Sequence, residues 1–260
     1  MKTKYFIFGI FIGILSSILT FLIIGGQTKN DTEVSNINAQ AKVSYAQFGE
    51  DLILANIFDF LKIPKPTYLD IGAWDPIIDS NTYLFYLRGS RGVLVEPNPS
   101  YIKKLKKARP GDVVLEIGIG VTDQENVDYY VIGKGDGKGD GGGWNTFSKE
   151  NAENAEKISG GAMKIERIIK RTLVNINRVL EENFKKTPDF ISIDVEGLDL
   201  SILKSLDFER FRPKVFCVET LSSVDRNYRD KIIDFMTSKE YVLYGGNFVN
   251  AIFIDRDIFI

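Results

Sequence analysis

Hydrophobic and polar positions fall into two regimes along the chain. Residues 5–24, YFIFGIFIGILSSILTFLII, run twenty positions without a charge, the length a helix needs to cross a bilayer. Lys2 and Lys4 precede this run, and a polar, aperiodic stretch follows it. A cleavable leader would show a shorter apolar core and a small-residue cleavage site. The expectation is therefore a single-pass anchor over residues 1–25, a linker over 26–42 and a globular domain over 43–260. The two flanking lysines bias Met1 to the cytoplasm and the domain to the opposite side of the membrane.

Beyond residue 43, short apolar runs alternate with amphipathic stretches. Strands are predicted at 67–72, 92–97, 113–118, 127–132, 171–176, 190–195, 214–219, 241–246 and 249–255. Helices are predicted at 44–62, 80–88, 99–108, 177–186, 198–206 and 227–239. Alternation of this kind predicts an α/β fold with a mostly parallel sheet and crossover helices. Several strands are apolar on both faces, as strands buried under two helical layers must be. Almost nothing separates the last two, which predicts a C-terminal antiparallel hairpin. The glycine-rich segment 133–143, GKGDGKGDGGG, lacks the Lys-Ser/Thr ending of a phosphate-binding loop and reads as a surface loop.

Composition narrows the chemistry. The 260 residues are 44% hydrophobic and 26% charged, with a net charge of −2, so no basic field points to nucleic acid. There is no histidine, which removes imidazole as ligand or base. The single cysteine, Cys217, lies in the apolar run KVFCVE. It excludes an intramolecular disulfide and a cysteine metal cluster, and reads as a buried, inert thiol.

Ligands of an open parallel sheet bind outside the carboxyl ends of its strands, so the residues closing each strand matter most. The first strand ends in LDIGAWDP, with Asp70 and then Gly72, whose bare backbone allows close approach. The second ends at Glu96 in LVEPNP, where an acid can accept both hydroxyls of a ribose. This pair, without GxGxxG, favours an adenosine ligand lacking phosphates over a dinucleotide. S-adenosylmethionine fits that description. A third strand end, DFISIDVEGLDL, presents Asp194 and Glu196, with Asp199 opening the next helix. A carboxylate closing a buried strand needs a partner, whereas acids at a helix start are also favoured by the helix dipole. The dipole accounts for Asp199; Glu196 stays open between the two roles.

The segments YLDIGAWDP, SNTYLFY, RGVLVEPNP, DFISIDVEGLDLSILKSLDF and RPKVFCVET resemble the FkbM family of S-adenosylmethionine-dependent methyltransferases, and SYAQFGEDLIL, LEIGIG and WNTFSKE are also similar. The resemblance implies a Rossmann-like class I methyltransferase fold with a seven-stranded sheet. It implies methyl transfer to oxygen, on a hydroxyl of a sugar, glycan or small molecule. Carried over by position, Asp70, Gly72 and Ala73 would lie against the methionine part of the cofactor, with Gln47 and Glu50 closing that end. Glu96 would hold the ribose, Pro97 and Asn98 would flank the adenine, and Asn81 of SNTYLFY joins the cofactor set. Trp74, Asp75 and Pro76 replace the richer glycine motif that methyltransferases at large carry after the first strand.

Methyl transfer from a sulfonium needs an acceptor oxygen held in line and relieved of its proton. Without histidine the base is Asp, Glu, Lys or Tyr, and Asp194, with Glu196 beside it, is the leading candidate. An alternative has Asp194, Glu196 and Glu219 sharing a divalent ion; oxygen-only ligands suit Mg²⁺, although no motif demands a metal. The competing reading from another class is a catalytically inactive, membrane-anchored module that binds the cofactor as a scaffold.

Overall fold

The apolar runs that close in acids and glycines become neighbouring strands of one sheet. In the computed structural model, residues 42–135, 143–222 and 224–259 are described. The predicted anchor at 5–24 lies outside them, as do residues 136–142 of the glycine-rich segment. Among the described residues no helix is long and apolar enough to cross a membrane. A compact unit runs from Ser44 onward.

Its main sheet comprises β1 (Tyr68–Ile71), β2 (Gly92–Val95), β3 (Val113–Leu115), β7 (Phe190–Ile193), β8 (Val215–Glu219), β9 (Tyr241–Gly246) and β10 (Asn250–Asp255), with β4 to β6 set apart as described below. Their order is β3-β2-β1-β7-β8-β10-β9. Neighbours from β3 to β8 pair in parallel, and β10 is antiparallel to both β8 and β9. Strands β1, β7 and β8 are buried at every position, as a doubly covered parallel sheet requires. Successive strands run outward from β1 to β3, and the chain then returns to place β7 on the other side of β1. That reversal puts the topological switch point between β1 and β7.

Two apolar cores flank the sheet. One packs Leu69, Ile71, Val93, Ile191, Phe216 and Phe253 under α5 (Ile176–Asn183), α6 (Asp199–Ser205) and α7 (Tyr228–Ser238). The other packs Tyr68, Leu94, Phe190 and Cys217 against α1 (Glu50–Phe60), α2 (Tyr83–Leu87) and α3 (Pro99–Ala108). Cys217 is buried and unpaired, as expected.

The structure departs from the sequence reading in four places. The predicted strand 113–118 breaks in two, because the chain leaves the main sheet after Leu115 and re-forms as β4 (Gly118–Gly120). The runs at 127–132 and 171–176 belong to a second, three-stranded sheet, β4-β6-β5, built from β5 (Gln124–Gly133) and β6 (Lys164–Asn175). Helix α4 (Lys149–Ile158) is not among the predicted helices, because it buries only Ala152 and Ala155 and so carries no apolar stripe. Finally, the predicted helix 44–62 starts only at Glu50. Gly49 takes a left-handed φ of 88°, and the Asp51 carboxylate accepts from Ser44 Oγ and the Tyr45 N–H at 2.6 and 2.7 Å, folding residues 44–49 back over the helix start.

Candidate active site

Three strand ends meet at the switch point. Gly72 and Ala73 donate their N–H groups to Val95 O on β2, and Asp194 donates to Ile71 O on β1. Gly72 has a φ of 86°, and a Cβ there would overlap the Asp194 carbonyl oxygen. The glycine therefore serves first the contact between β1 and β7, and the loop after β1 can curl only because that position is bare.

Outside these ends lies a cleft lined among others by Gly72, Trp74, Glu96, Pro97, Asn145 and Asp194. Glu96 is buried, and its two carboxylate oxygens accept from the Trp74 and Asn98 N–H groups at 2.9 and 2.6 Å. Burial pushes its pKa up to about 7, against the pull of those two donors. Trp74 takes a left-handed φ of 43°. Its indole Nε1 is buried without a partner among the described residues, although such a donor normally finds one. An adenosine-bearing cofactor fits this wall, since Glu96 offers acceptor oxygen and Trp74 an unspent donor.

The second sheet supplies the opposite wall. Tyr129 of β5 and the strap Asn145-Thr146-Phe147 reach the cleft. Asn145 Oδ1 accepts from the Ile132 N–H at 2.9 Å, Thr146 bridges to Tyr130, and the Tyr129 and Phe147 rings pack with centroids 4.7 Å apart. Burial drives the Tyr129 hydroxyl well above its ordinary range, and the neighbouring Glu96 adds to the effect. The family-like segment WNTFSKE lies over the cleft because the second sheet carries it there, and periodicity does not show that sheet.

Acids crowd the ends of β7 and β8. Oxygens of Asp194, Glu196 and Glu219 lie within 4.8 Å of one another. Burial raises the Asp194 pKa to about 6, opposed by a hydrogen bond shared with Glu219. Glu196 and Glu219 rise well above the ordinary carboxylate range, through burial first and then through the charge of Asp194. Glu196 sits at φ 59°, a left-handed conformation that costs a non-glycine residue on the order of 1–2 kcal/mol. Two side chains hold it there: Asn151 Nδ2 on α4 and Thr146 Oγ1 on the strap both donate to its carbonyl. Such a trio can take a divalent cation through oxygen alone or share protons among its members.

Asp199 is not merely a surface acid at a helix start. It is fully buried, accepts from the Val195 and Gly197 N–H groups at 3.1 Å each, and binds the Tyr228 hydroxyl at 3.3 Å. It shapes the loop that carries Glu196.

The remaining sequence candidates stand behind the cleft or beside it. Asp70 is buried and accepts from Thr82 Oγ1 at 2.5 Å, within a network around the fully buried Arg109, which also binds Asp112 and Tyr68. Asn81 ties to Ser192 at 3.1 Å, and Asn98 caps α3 by accepting from the Ser100 N–H. Glu50 is buried and accepts from Phe48 N–H, Asn247 and Asn250. Ala73 packs in the core beneath the loop, and Gln47 is exposed. The structure thus brings Gly72, Glu96, Pro97 and Asp194 together at the cleft, and sets Asp70, Asn81, Asn98 and Glu50 as the frame around it.

The family model described as Methyltransferase FkbM domain matches residues 70–243, more than half of the chain. No curated protein matches this sequence. Among solved structures, the chain is similar to a Methanococcus jannaschii fibrillarin pre-rRNA processing protein, at 11% identity and TM-score 0.42, over 74% of this chain and 67% of that one. It is also similar to the O-methyltransferase from Bacillus cereus in complex with SAH, at 12% identity and TM-score 0.40, over 85% and 86%. Those likenesses are too loose to assign any residue; the family match runs from Asp70 in β1 through the strand ending in Glu219. The chain belongs to the FkbM family of S-adenosylmethionine-dependent methyltransferases.

Proposed function

We propose that this protein transfers a methyl group from S-adenosylmethionine to a hydroxyl oxygen of a sugar, glycan or small molecule, with Asp194 as the base. The observation that carries the reading is the inventory of titratable groups lining the cleft: Glu96, Tyr129 and Asp194. Glu96 is committed to two backbone donors. Tyr129 is driven so far above its ordinary range that it keeps its proton near neutrality. Asp194, at about 6, is ionised at neutral pH while remaining basic enough to accept a proton from an acceptor hydroxyl.

Bound S-adenosylmethionine would supply an electrophilic methyl on a sulfonium. Glu96 would accept from the ribose hydroxyls and Trp74 Nε1 would donate to the cofactor, fixing the reagent along one wall. Asp194, at the switch point, would take the acceptor proton, and the hydrogen bond with Glu219 would hold its carboxylate charged and in place until then. A divalent cation on Asp194, Glu196 and Glu219 would add Lewis acidity at the acceptor oxygen, and Mg²⁺ suits such ligands.

The test is labelled-methyl transfer from S-adenosylmethionine to a panel of glycans, lipids and small molecules, run on wild type and Asp194→Asn. The variant is expected to bind S-adenosylhomocysteine within a fewfold of wild type and to lose about 10²–10⁴ in turnover, the usual contribution of a positioned base. Wild-type turnover in the variant removes the assignment of Asp194. Cofactor binding by wild type with no labelled acceptor anywhere in the panel would favour an anchored scaffold.

A further inference from the structure

Four short segments form a collar around the carboxyl ends of β1 and β8, and each exposes large apolar side chains outward. Phe48, Ile78 and Phe248 are 55, 54 and 74% exposed. Ile77, Leu221 and Val224 join them on the same segments. Hydrogen bonds stitch the segments together: Tyr45 O accepts from the Ser80 N–H at 2.9 Å, and Val249 O accepts from the Thr220 N–H at 2.7 Å. Glu50 accepts from Asn247 and Asn250 at 2.7 and 2.6 Å, and Arg229 binds both Thr220 Oγ1 and Asn247 O. Isolated exposed apolar residues are ordinary. Six of them on one stitched rim, surrounding the strand ends that carry Asp194 and Glu219, call for a partner.

The covalent path of the chain says which partner. The uncharged run 5–24 is followed by a polar stretch, and the chain enters the compact unit at Ser44. Ser44 and Tyr45 are themselves part of the collar, bonded to Asp51 and Ser80. The chain that carries this run therefore joins the compact unit at the rim that exposes the apolar side chains.

We propose that this rim rests in the headgroup region of the membrane that residues 5–24 anchor, so that the cleft takes the hydroxyl of an amphiphilic, membrane-borne acceptor such as a lipid-linked sugar. The acceptor class rests on the methyltransferase reading above; the membrane-facing rim does not. Aromatic and aliphatic side chains of this kind sit at the level of the headgroups, and a substrate whose tail stays in the bilayer would present its polar head to Asp194 directly.

The full-length protein, reconstituted into phosphatidylcholine–phosphatidylglycerol vesicles, tests this with an environment-sensitive nitrobenzoxadiazole probe. Cys217 is fully buried, so cysteines introduced as Ile78→Cys or Phe248→Cys label selectively. Lys185→Cys, exposed on the turn that leads into the opposite end of β7, is the control. The expected result is blue-shifted emission at 78 and 248, with quenching by headgroup-region nitroxide lipids at least threefold stronger than at 185. Equal quenching at all three sites overturns the proposal. A blue shift that lipid nitroxides do not quench also overturns it, because the rim is then covered by a second copy or by the chain's own apolar run. Calorimetry with S-adenosylhomocysteine on the same sample separates the two readings. Quenching without binding keeps the membrane-facing rim and removes the methyltransferase, and binding without quenching does the reverse.

Discussion

Glu96 ties cofactor affinity and fold stability to the same proton, with opposite signs. Its pKa stands at about 7 instead of 4.5, and burial is the main cause. A carboxylate that must accept from ribose hydroxyls binds best when ionised. At pH 8 about nine-tenths of such a group is charged, and at pH 6 about one-tenth, so affinity should fall about tenfold over that interval, or ~1.4 kcal/mol. S-adenosylhomocysteine is the right probe, because it lacks the sulfonium charge that would respond to Asp194. Stability moves the other way. Because the folded pKa is raised, the Glu96 contribution is most favourable below about pH 4.5 and is lost as pH rises through about 7. The unliganded protein should therefore gain on the order of 1 kcal/mol from this group between pH 8 and pH 6. Asp199, also raised to about 7 by burial, acts in the same direction on stability without facing the cleft. Titration calorimetry and thermal melts across pH 6–8, on wild type and Glu96→Gln, test both halves. The variant should bind weakly and without a pH slope. Flat affinity in wild type, or an unchanged slope in the variant, would refute the role of Glu96.

Two further substitutions probe the frame of the site. Gly72→Ala must hold a left-handed φ and push its methyl into the Asp194 carbonyl; it should lose more than about 3 kcal/mol by urea denaturation, and a loss under about 1 kcal/mol would show that the β1 and β7 ends are not locked together. Asn151→Ala removes one of the two donors to the Glu196 carbonyl, which should cost about 1–2 kcal/mol of stability. If the acid trio takes a divalent cation as proposed, manganese titrated by calorimetry should bind several-fold more weakly to the variant, while S-adenosylhomocysteine affinity stays within twofold; equal manganese binding would separate α4 from the acid trio.

The sequence made the main sheet readable because β1, β2, β7 and β8 are continuous apolar runs that stop at an acid or a glycine. That same pattern singled out Gly72, Glu96 and Asp194, which lie at strand ends and line the cleft. It could not place Asp70 or Glu50, since an acid at a strand or helix end reads alike whether it faces a ligand or a buried threonine and arginine. Nor could it show that 127–132 and 171–176 pair with each other in a separate sheet, because periodicity identifies a strand but not its neighbour. Helix α4 leaves no apolar stripe in the sequence because its buried face is two alanines, so the clamp on Glu196 is not legible there either. Proximity of Asp194, Glu196 and Glu219 was expected from adjacent strand ends, and their oxygens do converge.

The contact between Gly72 and residue 194 runs through the carbonyl of the latter, not its side chain. Position 194 is therefore locked in place but chemically unspecified: any residue that keeps the strand would leave the cofactor loop as it is. Position 72 has no such latitude. An evolving or engineered lineage could exchange the reacting group at 194 in one step and retain its methyl donor throughout, whereas each new residue at 72 would have to wait for both strands to move.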